Sequence, residues 1–171
     1  MLEAYEEDIR YRLYSEQPAN NEGWRVETHE IRNTGLVFED DNVKVEAFRV
    51  PHGSWPEAWG YRFTTPDTVI VISGDTAPSD VLKQYSQGAD VLIHEVYSEE
   101  GFAKKEPQWQ KYHAKNHTST TELGRLAAEV EPKLLILYHQ LLWCSTHETL
   151  VDEVKSEFSG TVVSARDLDV F

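Results

Sequence analysis

Val69-Ile70-Val71-Ile72-Ser73-Gly74-Asp75-Thr76 is the stretch on which the reading of this chain turns. Four consecutive β-branched residues make a short, fully apolar strand. Gly74 then lets the backbone turn sharply, which leaves Asp75 projecting from the strand's carboxyl end. Upstream of this point the chain reads as β-rich, with strands expected over Trp24–Ile31, Leu36–Glu39, Val43–Val50, Gly60–Thr64 and Thr68–Ser73. Asp40-Asp41-Asn42 supplies a turn between two of them, and Val43, Val45 and Ala47 alternate with Lys44 and Glu46 as in a strand with one wet face. Further towards the N-terminus, Leu2, Tyr5, Ile9 and Leu13 predict a helix over residues 3–15, and Gln17–Gly23 a loop.

Downstream of Asp75 the period changes from two to helical spacing. Pro78–Gln87 reads as a helix with Pro78 in its first turn, followed by a short buried strand at Val91–Ile93. Ser119-Thr120-Thr121-Glu122 is a capping-box pattern that opens a helix running to Val130, with Pro132 beyond its end. Leu134–Leu137 is wholly apolar and so belongs inside a sheet. Ser145-Thr146-His147-Glu148 caps a last helix to about Phe158, and Thr161–Val163 is the final strand. Strands followed by α/β alternation predict an α/β (α+β) fold, a mixed sheet with helices on one face.

The bulk properties narrow the function. The chain has 171 residues with 40% hydrophobic content, enough for one folded domain. Thirty acidic against sixteen basic residues give a net charge of −14, a field that repels phosphate backbones and argues against a nucleic-acid partner. The densest basic run, Lys104-Lys105, is flanked by Glu99, Glu100 and Glu106. With one cysteine, Cys144, no internal disulfide forms, and its setting in Leu-Leu-Trp-Cys reads as a buried structural thiol. No run of eighteen apolar residues exists, and the first twenty residues are too charged for a signal peptide, so a soluble, cytoplasmic chain without membrane association is expected.

Four strand ends carry groups that can bind metal or titrate: Val50-Pro51-His52-Gly53, Ser73-Gly74-Asp75-Thr76, Leu92-Ile93-His94-Glu95 and Leu137-Tyr138-His139-Gln140. Ligands gather at the carboxyl ends of strands in such folds, where loops converge on one crevice. Histidine and aspartate together suit zinc, manganese or iron. His117 lies at the start of the helix opened by Ser119, where free N–H groups favour an anion, so it could bond an oxyanion or act as a general acid. His113, four residues earlier, would share a face with it in a helix. His29, in a plain strand, and His147, in a capping sequence, draw no functional reading. Trp55, Trp59, Trp109 and Trp143 lie near these motifs and read as core more than as the lining of a pocket.

Gly35 to about Asp169 resembles the C-terminal part of metallo-β-lactamase-fold hydrolases, in the branch that includes ribonuclease Z. Val50-Pro-His52-Gly with Trp59-Gly-Tyr-Arg-Phe63 is similar to the family's third metal motif, and Ser73-Gly-Asp75-Thr76 to the fourth. Ile93-His94-Glu95, His117-Thr-Ser-Thr120 and Leu137-Tyr-His139-Gln140 follow in the family's order. The resemblance implies the second half of an αββα sandwich, with residues 1–34 as an N-terminal helix, loop and strand and 35–171 as the motif-bearing part of a single domain. It implies that His52 binds one metal, His139 the other, and that Asp75 bridges them. Two zinc ions per complete site, or manganese or iron, are the implied cofactors. Catalytic roles fall to His117, on the substrate, and Glu95, which orients it or His94.

Two departures accompany the resemblance. None of the seven histidines forms the family's His-x-His-x-Asp-His motif, which lies upstream of residue 1 in relatives and supplies the remaining ligands. Residues 53–74, only 22 positions, separate His52 from Asp75, too few for the tRNA-gripping arm of ribonuclease Z. The expected activity is therefore hydrolysis of a small ester, lactone or phosphodiester, completed by another chain. A lone half would also expose an apolar sheet face, which predicts a homodimer or assembly with a separate N-terminal half. The alternatives are an inactive, self-associating half-domain and an RNA-processing nuclease.

Overall fold

The computed structural model describes residues 2–15, 20 and 22–171, in two units, Met1–Glu30 and Ile31–Phe171. In the first unit a 3-10 turn, Leu2–Tyr5, leads into helix α1, Glu6–Tyr14, which an Arg12–Asp8 pair at 2.9 Å braces one turn apart. The loop expected over Gln17–Gly23 lies largely outside the described residues. The strand expected over Trp24–Ile31 is a correction: it is not part of the sheet. Residues 22–30 are exposed throughout, and Val26 is 65% exposed, so neither face of this alternating stretch gains from burial.

The second unit is built on one seven-stranded sheet in simple order: β1 Gly35–Glu39, β2 Lys44–Arg49, β3 Trp59–Thr64, β4 Val69–Ile72, β5 Val91–Tyr97, β6 Leu134–Leu141 and β7 Val162–Ser164. β1 to β4 pair antiparallel and β4 to β7 pair parallel. The change falls at β4, where the periodicity changes. Hairpin-linked strands need only turns, whereas each parallel pair needs a crossover. Helix α2 (Asp80–Ser86) makes the first, α3 (Glu99–Ala103), α4 (Pro107–Asn116) and α5 (Thr120–Val130) the second, and α6 (His147–Lys155) the third. The consequence for function is directional: β2, β4, β5 and β6 all point the same way, so their carboxyl ends share one sheet edge.

Helices α2, α5 and α6 cover one face. Leu82, Leu123, Ala127, Leu150 and Val154 bury there against Phe48, Val71, Leu92, Leu135 and Leu137. The opposite face alternates with it and is also apolar: Phe63, Ile70, Ile72, Val91, Ile93 and Leu134 are adjacent by register and only partly buried. Helices thus lie on one side of a mixed sheet, as expected. Helix starts differ in detail. Ser79, not Pro78, precedes the first turn of α2 and caps it, since its side chain accepts from the Leu82 N–H. Thr146 rather than Ser145 caps α6, which ends at Lys155. The capping box of α5 is complete, with Ser119 and Glu122 bonding each other's backbone N–H groups.

Cys144 is exposed, which corrects its expected burial. Trp143 and Cys144 have φ of 43° and 75°, and the Ser145 N–H donates to the Leu142 carbonyl at 2.9 Å. A turn with two left-handed central residues reverses the chain at the sheet's edge and carries the thiol outward. The tryptophans correct the core reading too. None is buried, and Trp55 and Trp109 are 67% and 50% exposed. Of Trp55, Trp59, Trp109 and Trp143, only Trp59 lies on a strand; the others are on loops or a short helix.

Candidate metal centre

Each functional group is aimed by a local device. His52 follows β2 in a tight turn, where Gly53 has φ of +57° and a Cβ would lie 2.1 Å from the Asn116 side chain. The His52 Nδ1 lies 2.7 Å from the Asn116 carbonyl, and the Gly53 N–H donates to the Lys115 carbonyl at 3.0 Å. The end of α4 thereby fixes the ring. Nδ1 facing a carbonyl carries the proton, which leaves Nε2 as a lone-pair donor. Asp75 follows β4 through Gly74, at φ +65°. His139 sits where the β5–β6 register slips between Glu95 and Val96, with φ of 43°. It is the extra residue of a bulge, and bulges re-aim side chains next to functional sites.

These residues converge. Ligand atoms of His52, Asp75 and His117 lie within 4.8 Å of one another. His139 Nε2 is 3.4 Å from Asp75 Oδ2, and the His117 ring lies 5.2 Å from that of His52 and 5.8 Å from that of His139. Three imidazoles and a carboxylate on one edge are a donor set that fits zinc, manganese or iron. The grouping places His117, read from sequence as a catalytic residue, beside His52 and Asp75, while His139 joins through Asp75.

Glu95 is the hub behind them. It is fully buried, and its Oε1 accepts from the Thr76 N–H at 3.0 Å, from the Thr118 N–H at 3.2 Å and from His117 Nδ1 at 3.2 Å. One oxygen thus ties the loop after β4 to the segment before α5, and Thr118 Oγ1 closes the same link by donating to the Thr76 carbonyl at 2.7 Å. Burial raises the Glu95 pKa, and the His117 bond pulls it back. His117 Nε2 is left facing the centre. His113 ends one turn earlier on α4, its carbonyl accepting from the His117 N–H at 2.8 Å and its ring 5.8 Å from that of His117. His29 is exposed, beside Glu27 at 3.5 Å, and His147 bonds Ser164 Oγ at 2.7 Å, outside the centre.

His94 points away from the centre, to the helix-covered face. It is wholly buried, its Nδ1–H donates to the Glu95 carbonyl at 2.5 Å, and burial lowers its pKa to about 4. A base held neutral in the fold but protonated at an ordinary 6.5 when unfolded contributes stability that is full above pH 6.5 and is lost as pH falls towards 4. The expected loss across that window is about 3 kcal/mol. Urea unfolding of wild type and His94→Gln at pH 7 and pH 4.5 checks it: the difference between the two proteins should shrink at low pH, and equal slopes contradict it.

The family model for the beta-lactamase superfamily domain matches residues 4–140, a span that holds every one of these groups. A ribonuclease Z from Mycobacterium tuberculosis H37Rv is 26% identical over 169 residues, covering 98% of this chain and 61% of that protein. One from Mycobacterium sp. KMS is 28% identical over 141 residues, covering 82% of this chain and 49% of that one. The chain therefore spans about half to three-fifths of the length of these curated relatives. The metallo-beta-lactamase fold protein YhfI from Bacillus subtilis superposes with a TM-score of 0.60 at 25% identity, over 77% of this chain and 49% of its own. Human tRNase Z, short form, gives 0.55 at 24% identity, over 81% and 46%, a likeness of fold. Since the matched span runs from β1 into β6 and takes in all the strand ends that build the centre, this chain belongs to the beta-lactamase superfamily domain family.

Proposed function

We propose that this chain carries part of a dinuclear-metal hydrolase site, acting on a small ester, lactone or phosphodiester. The observation that carries the proposal is the convergence of His52, Asp75 and His117 within 4.8 Å at one sheet edge, with His139 against Asp75. In this reading His52 would hold one metal, His139 the other, and Asp75 would serve both. A metal pair bound by these residues would supply Lewis-acid chemistry to the hydrolysis. His117 presents Nε2 to the reacting oxygen, and Glu95 holds its ring by the bond to Nδ1. One histidine and a shared carboxylate per metal are too few for a tetrahedral zinc site, so a His-x-His-x-Asp-His segment is supplied by other parts of a longer protein or by another chain.

The half-buried apolar face of β3 to β6 supports such a partner, a separate N-terminal half or a second copy of this chain. The acidic surface suits a small-molecule substrate in the cytoplasm, and among the described residues no helix is long and apolar enough to cross a membrane. A ribonuclease Z-like nuclease is the second reading, favoured by the names of the curated relatives and opposed by the net charge and the short span from His52 to Asp75. Hydrolysis of bis-p-nitrophenyl phosphate or a simple lactone tests the proposal. We expect turnover that His139→Ala lowers on the order of 100-fold. Absence of turnover in the zinc-loaded assembly favours an inactive half-domain that self-associates.

A further inference from the structure

Rings continue outward from the metal centre. The His113 ring lies 5.8 Å from that of His117 and 4.4 Å from that of Trp143. Trp109 stacks on His113 at 6.0 Å with an interplanar angle of 29°, and Tyr112 meets Trp109 edge-on at 5.9 Å. This array is not core, since Trp109 and Tyr112 are about half exposed. It is nevertheless rigidly backed. Trp143 sits in the left-handed turn, directly over Gly101, where a Cβ would meet the Leu142 carbonyl at 2.6 Å. Lys105 Nζ lies 4.8 Å from the Trp143 ring centre. Solvent-facing rings two ring contacts from His117 match a molecule that joins a planar ring to the group received by the centre.

We infer that Trp109, with His113 and Tyr112, forms a stacking subsite for a planar aromatic ring carried by the substrate. The inference rests on the hydrolase reading of the adjoining centre, and it narrows the substrate to an aryl or nucleoside ester or phosphodiester. The flanking rings orient the ring-bearing group, while the centre receives the anionic one. Stacking on an exposed indole corresponds to about a tenfold gain in affinity.

Calorimetric titration of the zinc-loaded protein with two pairs of anions tests this: phenylphosphonate against methylphosphonate, and uridine 5′-monophosphate against ribose 5-phosphate. The ring-bearing member should bind about tenfold tighter. Trp109→Ala should abolish the preference and Trp109→Phe restore most of it, with circular dichroism showing both variants folded. A preference confined to the first pair identifies an aryl group, one confined to the second a nucleobase, and both support a planar ring. Equal affinity within both pairs, or no binding at all, overturns the subsite. Zinc content measured on the same samples decides separately whether the metal-centre reading stands.

Discussion

Glu95→Ala is expected to lower the unfolding free energy by about 3–5 kcal/mol, a large effect for one side chain. The carboxylate is fully buried, and a single oxygen accepts from the Thr76 N–H, the Thr118 N–H and His117 Nδ1. Alanine leaves these donors without a partner in a site that water does not readily enter, and each buried donor so stranded costs roughly 1–3 kcal/mol. Glu95→Gln separates bonding from charge, because its amide oxygen can still accept from the same three donors while the negative charge is gone. It should cost less than half as much in stability and still lower turnover of bis-p-nitrophenyl phosphate, since His117 loses its charged partner. Urea denaturation of the three proteins at pH 7 measures this. A loss below about 1 kcal/mol for Glu95→Ala would mean the hub does not hold the two loops together.

Gly74→Ala is the second substitution with a large expected cost, roughly 2–4 kcal/mol. Gly74 has φ of +65°, and an added Cβ would stand 2.4 Å from the Trp59 carbonyl oxygen. That oxygen is backbone of β3, beside the β3–β4 ladder, and cannot swing aside as a flexible side chain would. Relief requires the turn after β4 to shift, and Asp75 moves with it. The same variant should therefore lose metal affinity as well as thermal stability. A thermal scan showing an unchanged Tm, or a destabilised protein that keeps full metal affinity, would contradict this coupling.

The elements that sequence reading found are those in which local chemistry and tertiary demand agree. Val69–Ile72 is apolar on both faces and interior to the sheet. Ser119 and Glu122 form their capping box as an isolated motif would. His52, Asp75, Glu95 and His139 are legible because an apolar strand must end in something, and the four strands share one direction because β2 and β4 flank the antiparallel β3 while β4 to β6 run parallel. The failures have physical reasons. Trp24–Ile31 alternates like a strand, but alternation makes a strand only where a neighbour buries one face. Helices α3 and α4 mix aromatic and charged residues without a clear apolar stripe, so periodicity does not reveal them, although Ser98 caps the first and Pro107 starts the second. The bulge that turns His139 towards Asp75 is a mismatch between two strands, which no single segment encodes. The left-handed turn that exposes Cys144 and seats Trp143 lacks the glycine or asparagine that announces such turns.

Metal content per chain, by elemental analysis of protein purified without chelator and alongside Asp75→Ala, tests the central claim most directly. Near-stoichiometric zinc or manganese is expected in the wild type and its loss in the variant, because Asp75 is the carboxylate shared by the histidines at the sheet edge. Metal no higher in the wild type than in Asp75→Ala would contradict it, leaving the convergence of His52, Asp75, His117 and His139 without the role argued for it.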